Sequence, residues 1–318
     1  MEGNCRSRTG RPVARYALRR LAQLVPTLFG VTLLVFFLFR VVGGSPAAMV
    51  LGKNASAEAL AEYDRVHGYD RPLAVQYFSW LGELARGDLG ESLEWRRPVA
   101  EVLRDGALVS LSLTVPILLV GTALALLVGL VCAARAGGLL DKAALGAATA
   151  LMSVNYVIWA AAGQWFLAYK WKLFPLWGWE DWTYLALPVL VGVASGLGGD
   201  ARFYRTVVLD EVRRPSVRAA VAKGLSPSRV LFCHVLRNSL VPVVTNMSLA
   251  VPFLFTGSIL LESFYGIPGL GGVGLAAVHS ADFATLRAVV LLSALFYQLS
   301  NLAADVLNAW LDPAVRLG

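Results

Sequence analysis

The side chains of this 318-residue chain that could do chemistry are few and poorly grouped for catalysis. Its three histidines, His67, His234 and His279, are scattered. No H-E-x-x-H or G-x-S-x-G occurs, so neither a zinc-bound water nor an elbow serine has its usual scaffold, and an intramembrane protease or transferase has little to stand on. Gly269, Gly271 and Gly274 form G-x-G-x-x-G. That spacing cradles a dinucleotide only after a strand and within a βαβ unit; here it follows an apolar run and reads as a tight Gly-Pro turn. No G-x-x-x-x-G-K-[ST] phosphate loop is present, so the chain is not expected to hydrolyse ATP. Cys5, Cys132 and Cys233 are too far apart for a disulfide framework or a metal-ligand cluster. The expectation is a non-enzyme with no catalytic residue, no cofactor and no metal.

Among the acidic residues of the apolar runs only Asp305 is a candidate. Ionisable groups deep in a membrane are costly and point to function by default. Asp305 lies four residues after Asn301 in the last apolar run, where helix packing or an interfacial position would serve it as well as transport. Glu262 is expected at the external end of an apolar run.

The elements that would position these residues are membrane helices. The chain is 57% hydrophobic and 15% charged, with a mean hydropathy of +0.62. A hydrocarbon core about 30 Å thick needs about 20 mostly apolar residues per helix. Clear runs cover Leu21 to Val42, Ala107 to Ala134, Leu240 to Leu261 and Ala284 to Leu311; weaker ones cover Leu145 to Tyr169 and Thr183 to Gly199, where polar residues or glycines intervene. Long continuous runs without strand alternation predict an all-α polytopic protein with about six transmembrane helices, in an inner or plasma membrane. The first run is too long for a signal peptide and is read as a retained span.

Basic residues accumulate on the cytoplasmic side. Arg6, Arg8, Arg11, Arg15, Arg19 and Arg20 crowd the N-terminal tail, and Asp200 to Leu240 carries eight more basic residues, so both are placed in the cytoplasm. Gly43 to Gly106 has seven basic and ten acidic residues and is placed outside. The expected plan is therefore a cytoplasmic tail 1–20, a first span 21–42, an external segment 43–106, a transmembrane core 107–311 containing a cytoplasmic loop 200–240, and a cytoplasmic tail 312–318. The net charge of +7 follows from sidedness and anionic lipid, and gives no warrant for nucleic-acid binding.

Aromatics mark both external stretches. Tyr77, Phe78, Trp80, Leu81 and Leu84 suggest short amphipathic helices that either lie as an interfacial lid or touch a solute. Trp171, Phe174, Trp177, Trp179 and Trp182 read as headgroup anchors.

The loop between the fourth and fifth spans has the most structure written into it. A short helix through Ser216 to Lys223 is closed by Gly224, a residue suited to the left-handed position. Ser226 and Pro227 then signal a new helix. In it Leu231 and Val235 share a face, as do Phe232 and Leu236, with Arg229, Cys233 and Arg237 on another. Such a helix, turn and helix could sit in a groove of a soluble partner and transmit motion; a basic amphipathic helix could equally lie on lipid.

The run VRAAVAKGLSPSRVLFCHVLRNSLVPVVT, Val217 to Thr245, resembles the coupling loop of permease subunits in oligopeptide, dipeptide and nickel importers of the ATP-binding-cassette class. Ala219, Ala220 and Gly224 match the Ala-Ala-x-x-x-Gly core of that motif, and Lys223, His234, Leu236, Arg237, Asn238 and Pro242 match its peptide-type version. RYALRRLAQLVPTLFGVTLLVFFLFRVV, DRPLAVQYFSWLGELARGDLGESL, LESFYGIPGLGGVG and NLAADVLNAWLDPAVR are similar to other parts of the same family in the same order, the first two resembling the first of its two permeases. The sequence departs from the family at Pro215, Ser216, Val221 and Asn155, and in the glycine-rich Gly196, Gly198, Gly199 and Asp200.

The resemblance implies a type I importer permease fold with a cytoplasmic two-helix coupling loop. It implies a heterodimer with a second homologous permease, two cassette ATPase subunits, an external solute-binding protein and a bacterial inner membrane. Arg218, Ala219, Ala220, Lys223, Gly224, His234, Arg237 and Asn238 would carry the coupling: Gly224 permitting the bend, the alanines close approach, and the basic residues pairing with acidic groups of the ATPase. The alternative is an ion-coupled secondary transporter or channel, which would need ionisable residues near the midplane. A scaffolding membrane protein is the third reading.

Overall fold

The computed structural model describes residues 10–42, 46–52, 55–256 and 258–311. Cys5, Arg6, Arg8 and the C-terminal tail 312–318 lie outside the described residues. Among those described, the regular elements are helices, with one isolated antiparallel bridge between Glu91 and Pro98.

The first span is α1, Gly10–Phe37, prolonged by wider π-type turns over Leu38–Val42. Three short helices follow: α2 (Pro46–Leu51), α3 (Ala57–Val66) and α4 (Leu73–Ala85). Then comes α5, Val99–Ala134, beginning eight residues before the predicted span because Pro98 sets the entry and Val99, Val102 and Leu103 are already buried. Its 36 residues reach about 54 Å at 1.5 Å per residue, more than a membrane core needs.

Four apolar clusters are stacked along α5. Val99, Val102 and Leu103 lie at one end, Leu113 in the middle, Ala125 beyond it, and Ala133 at the other end. The other helices are registered against this mast. Helix α8, Thr183–Val212, runs parallel to it: Leu185, Leu187 and Val191 join Leu113, Ala201 and Tyr204 join Ala125, and Val208 joins Ala133. The predicted fourth span ended at Gly199, but the helix continues for 13 residues to Val212, so the first third of the expected loop is helical mast.

The predicted third span is broken. Helix α6 (Leu139–Ser153) and helix α7 (Tyr156–Ala162), with its π-type continuation Gly163–Lys170, are bent by 92°. The break falls at Asn155, whose side chain caps α7 by accepting from the Val157 N–H at 2.9 Å. The pair still climbs α8 from end to end. Asp141 meets Arg205, Ala148 meets Gly198 and Gly163 meets Val191 in order along α8.

The chain then passes through α9 (Pro215–Ala222) and α10 (Pro227–Val230) into α11, Arg237–Thr256. The predicted fifth span stops short of Leu261: Gly257 lies outside the described residues, and Ser258 caps a new helix, α12 (Ile259–Tyr265). Helix α13, Leu270–His279, follows at a bend of 77°. At about 10 and 15 Å these two are too short to cross a 30 Å core singly. They form a bent cap, and α14, Phe283–Leu311, returns along the bundle. Tyr297 of α14 meets Phe253 of α11, while Ala288 lies beside Val99 and Val102.

Among the described residues, four helices, Ala22–Arg40, Val99–Ala134, Thr183–Val212 and Phe283–Val306, are long and apolar enough to cross a membrane, or up to six if each of the bent pairs α6–α7 and α12–α13 counts as one. Leu34, Phe37, Leu119, Leu127, Leu190 and Leu249 stay exposed, a surface that suits hydrocarbon and not water. Small residues bring the helix backbones close, as lipid-embedded packing requires. A Cβ on Gly129 would come within 2.8 Å of the Arg205 nitrogen, and one on Gly192 within 2.6 Å of Ile117.

Candidate functional site

The segment from Arg213 to Asn238 closes one end of the bundle. Helix α9 starts with Pro215 at its first position, a place that loses no hydrogen bond, after an extended Arg214. Glu211 in the last turn of α8 pairs with Arg214 at 2.8 Å. Gly224 ends the element with φ +81°, and nothing stands within 4 Å of where its Cβ would be, so the glycine serves the backbone and not packing.

Val217 and Ala220 turn inward and join Ala133, Val208, Val230 and Val235 in a buried cluster. That cluster clamps α9 onto the ends of α5 and α8. The outward face carries Arg218, Ala219, Val221, Ala222 and Lys223, all exposed. The two adjacent alanines therefore do different work: Ala219 leaves the outer surface flat, whereas Ala220 sits in the core.

The second helix is not short. It starts at Pro227, winds through π-type turns over Leu231–Leu236 and continues into α11 without a gap. The wider turn changes the predicted faces, because Val230 and Val235, five residues apart, become the buried pair. Leu231 is half-buried, while Phe232 is 60% exposed and Val221 58%. His234 is half-buried; Arg237 and Asn238 are exposed on the first turn of α11. Val221 and Phe232 are apolar groups on the outer surface that the motif comparison passed over. Their adjacency to Arg218, Lys223 and Arg229 makes a mixed surface, apolar with a basic rim.

At the opposite end of the mast stands a second arrangement. Glu262, expected at a span end, is fully buried. Its carboxylate accepts from the Ser110 hydroxyl at 2.7 Å, the Ser258 N–H at 3.2 Å and the Gly272 N–H at 3.1 Å. Ser110 in turn accepts from the Leu270 N–H at 2.8 Å. Cβ atoms on Gly269 and Gly271 would collide with that carboxylate, so the G-x-G-x-x-G run is a backbone cradle for an internal anion at the start of α13.

The same end is tied by Asp282, also fully buried, which accepts from the Ser92 and Thr285 hydroxyls at 2.5 and 2.8 Å. This bond links the segment before α5 to the turn before α14. Tyr77 on α4 is buried against α1, exchanging a 2.9 Å hydrogen bond with Thr32 and meeting Phe29 and Phe36 edge on, while Phe78 stays 63% exposed. Asp305 lines a crevice between α1 and α14 with Gln23, Thr27, Gln298 and Asn301.

Residues 125–317 match the family described as binding-protein-dependent transport system inner membrane component, and residues 13–114 match its N-terminal part. The chain is 34% identical over 303 residues to the glutathione transport system permease protein GsiC of Salmonella typhimurium (strain LT2), covering 95% of this chain and 98% of the relative. The GsiC proteins of Salmonella choleraesuis and Escherichia coli (strain K12) are 33% and 32% identical over the same shares of each chain.

Proposed function

This chain belongs to the binding-protein-dependent transport system inner membrane components, and on that premise we propose that its end from Arg213 to Asn238 receives the motion of cassette ATPases and passes it to the translocation path. It is a permease subunit of an ATP-driven importer of the oligopeptide and dipeptide class. The family reading does not favour an ion-coupled transporter.

In our assembly the chain pairs with a second, related permease. Two separate ATPases grip the loops, and an external binding protein delivers the solute. Hydrolysis belongs to the ATPases. The cradled end of the bundle faces outward and the α9 end faces the cytoplasm. Because α14 meets Val99 and Val102 near its start and Gln23 and Thr27 of α1 near its finish, α1 begins and α14 ends toward the same end of the bundle as α9, and both termini are then cytoplasmic, as the basic tail suggests. The solute is peptide-like, a class to which the glutathione of the relatives' names belongs.

The observation that carries the coupling assignment is α9 itself. It is pinned by Val217 and Ala220 to the ends of the two mast helices while its other face is bare. A push on Arg218, Ala219, Val221 and Lys223 is delivered to α5 and α8 as a rigid-body displacement, and to α11 through the continuous helix from Pro227. Gly224 sets the angle between the two; Arg218, Lys223 and Arg237 offer charge to acidic ATPase groups, with His234 and Asn238 flanking them.

Gly224→Pro is the direct test, because proline holds φ near about −65° where the chain needs the left-handed region. The variant is expected to assemble with the second permease yet lose ATPase co-purification, or lose ATPase stimulation by loaded binding protein. Equal complex formation and equal stimulation would sink the assignment.

A further inference from the structure

Between α5, α8 and α11, away from both ends, lies a cavity of about 340 Å³. Its walls are mostly apolar, Ile117 and Phe253 among them, and the polar residues lining it are Thr114, Thr122, Tyr156, Ser258 and Asp200. No lysine, arginine or histidine lines it. The volume suits an amino-acid-sized group.

Asp200 is the charged member, and the coupling account gives it no task. It lies 17 residues after Thr183 and 12 before Val212, in the interior of a helix long and apolar enough to span a membrane. Its side-chain partner is the neutral amide of Asn246, which also donates to the Tyr204 hydroxyl at 3.1 Å. The two nearest arginines in sequence are turned elsewhere: Arg205 is bound to Asp141, and Arg202 approaches Met152. Gly196, one turn before, lines the same cavity beside the carboxylate. A half-buried carboxylate on a spanning helix, with a neutral amide and no protein cation as its partner, is stabilised in its charged form by a cation that enters the cavity.

We propose that this cavity is a subsite on the translocation path that receives the ammonium or other cationic group of the transported solute, with the Asp200 carboxylate as its counter-charge. The proposal rests on the permease reading above. It assigns a chemical preference to the chain itself, independent of the binding protein.

The test uses the full complex in nanodiscs, with Cys5, Cys132 and Cys233 replaced by serine and one reporter, Ala250→Cys, on the cavity wall. Its modification by cationic 2-aminoethyl and anionic 2-sulfonatoethyl methanethiosulfonate is measured, each rate normalised to that with a free thiol. The cation is expected to react at least about ten-fold faster, an advantage Asp200→Asn removes and Asp200→Glu keeps. Dialanine should protect the cysteine and N-acetyl-dialanine should not. The same rate ratio in wild type and Asp200→Asn, or equal protection by both peptides, overturns the subsite. A complex that assembles and responds to binding protein but shows no cation preference loses the subsite alone; one that does not assemble with ATPases loses the permease coupling instead.

Discussion

At the scale of single residues, Glu262 has the most demanding surroundings. A fully buried carboxylate survives only because three donors converge on it, and two glycines leave it room. Glu262→Ala should remove about 3 kcal/mol, since the Ser110 hydroxyl and the Ser258 and Gly272 amides lose their acceptor, while Glu262→Gln keeps the shape and loses less. Thermal unfolding of the purified protein in detergent measures the difference; an unchanged midpoint for Glu262→Ala would contradict the account. The sequence held part of this signal, an acidic residue seven positions before a Gly-x-Gly-Gly run. Ser110, 152 residues away, could not be paired with Glu262 without the fold. Likewise Ala219 and Ala220 are indistinguishable as letters, and only the packing of α9 separates the exposed one from the buried one.

At the scale of elements, hydropathy marked the apolar helices but drew the fourth run badly, and for a physical reason. Glycines lower the apolar signal of a helix while allowing it to be approached closely, so the span that looked softest is α8, the helix most embraced by its neighbours. Gly198 and Gly199 make the point in adjacent positions. A Cβ on Gly198 would strike the Ala148 carbonyl and approach Leu151 and Met152, whereas one on Gly199 meets nothing within 4 Å. Gly198→Ala should therefore cost about 1 to 3 kcal/mol by overpacking, and Gly199→Ala should be neutral or slightly stabilising. Melting curves of the two variants check this; equal effects would show that α6 does not lie against α8 as described. The bend of the third passage was hinted at by Asn155, a good cap and a poor mid-helix residue. The fusion of the second coupling helix with α11 was not legible, because Ser-Pro marks a helix start and nothing in the following residues says how far it runs.

At the scale of the whole molecule, α5 and α8 join the two ends of the protein. The Glu262 cradle is built on α5 at one end, and α9 is clamped to both helices at the other. Arg205 and Asp141, paired through 2.5 and 2.6 Å contacts, hold α6 to the same unit, so a displacement at α9 has a stiff route along the bundle. The family was readable from ordered motifs; the division of one face of α9 into core and the other into open surface was not. The central claim is that this open face meets an ATPase. Placing the photoreactive residue p-benzoylphenylalanine at position 219 or 221, and at exposed position 78 as a control, tests it in the assembled transporter. The account predicts ATPase adducts from 219 and 221 and none from 78. Absence of adducts from both coupling positions, or equal adducts from 78, would contradict it.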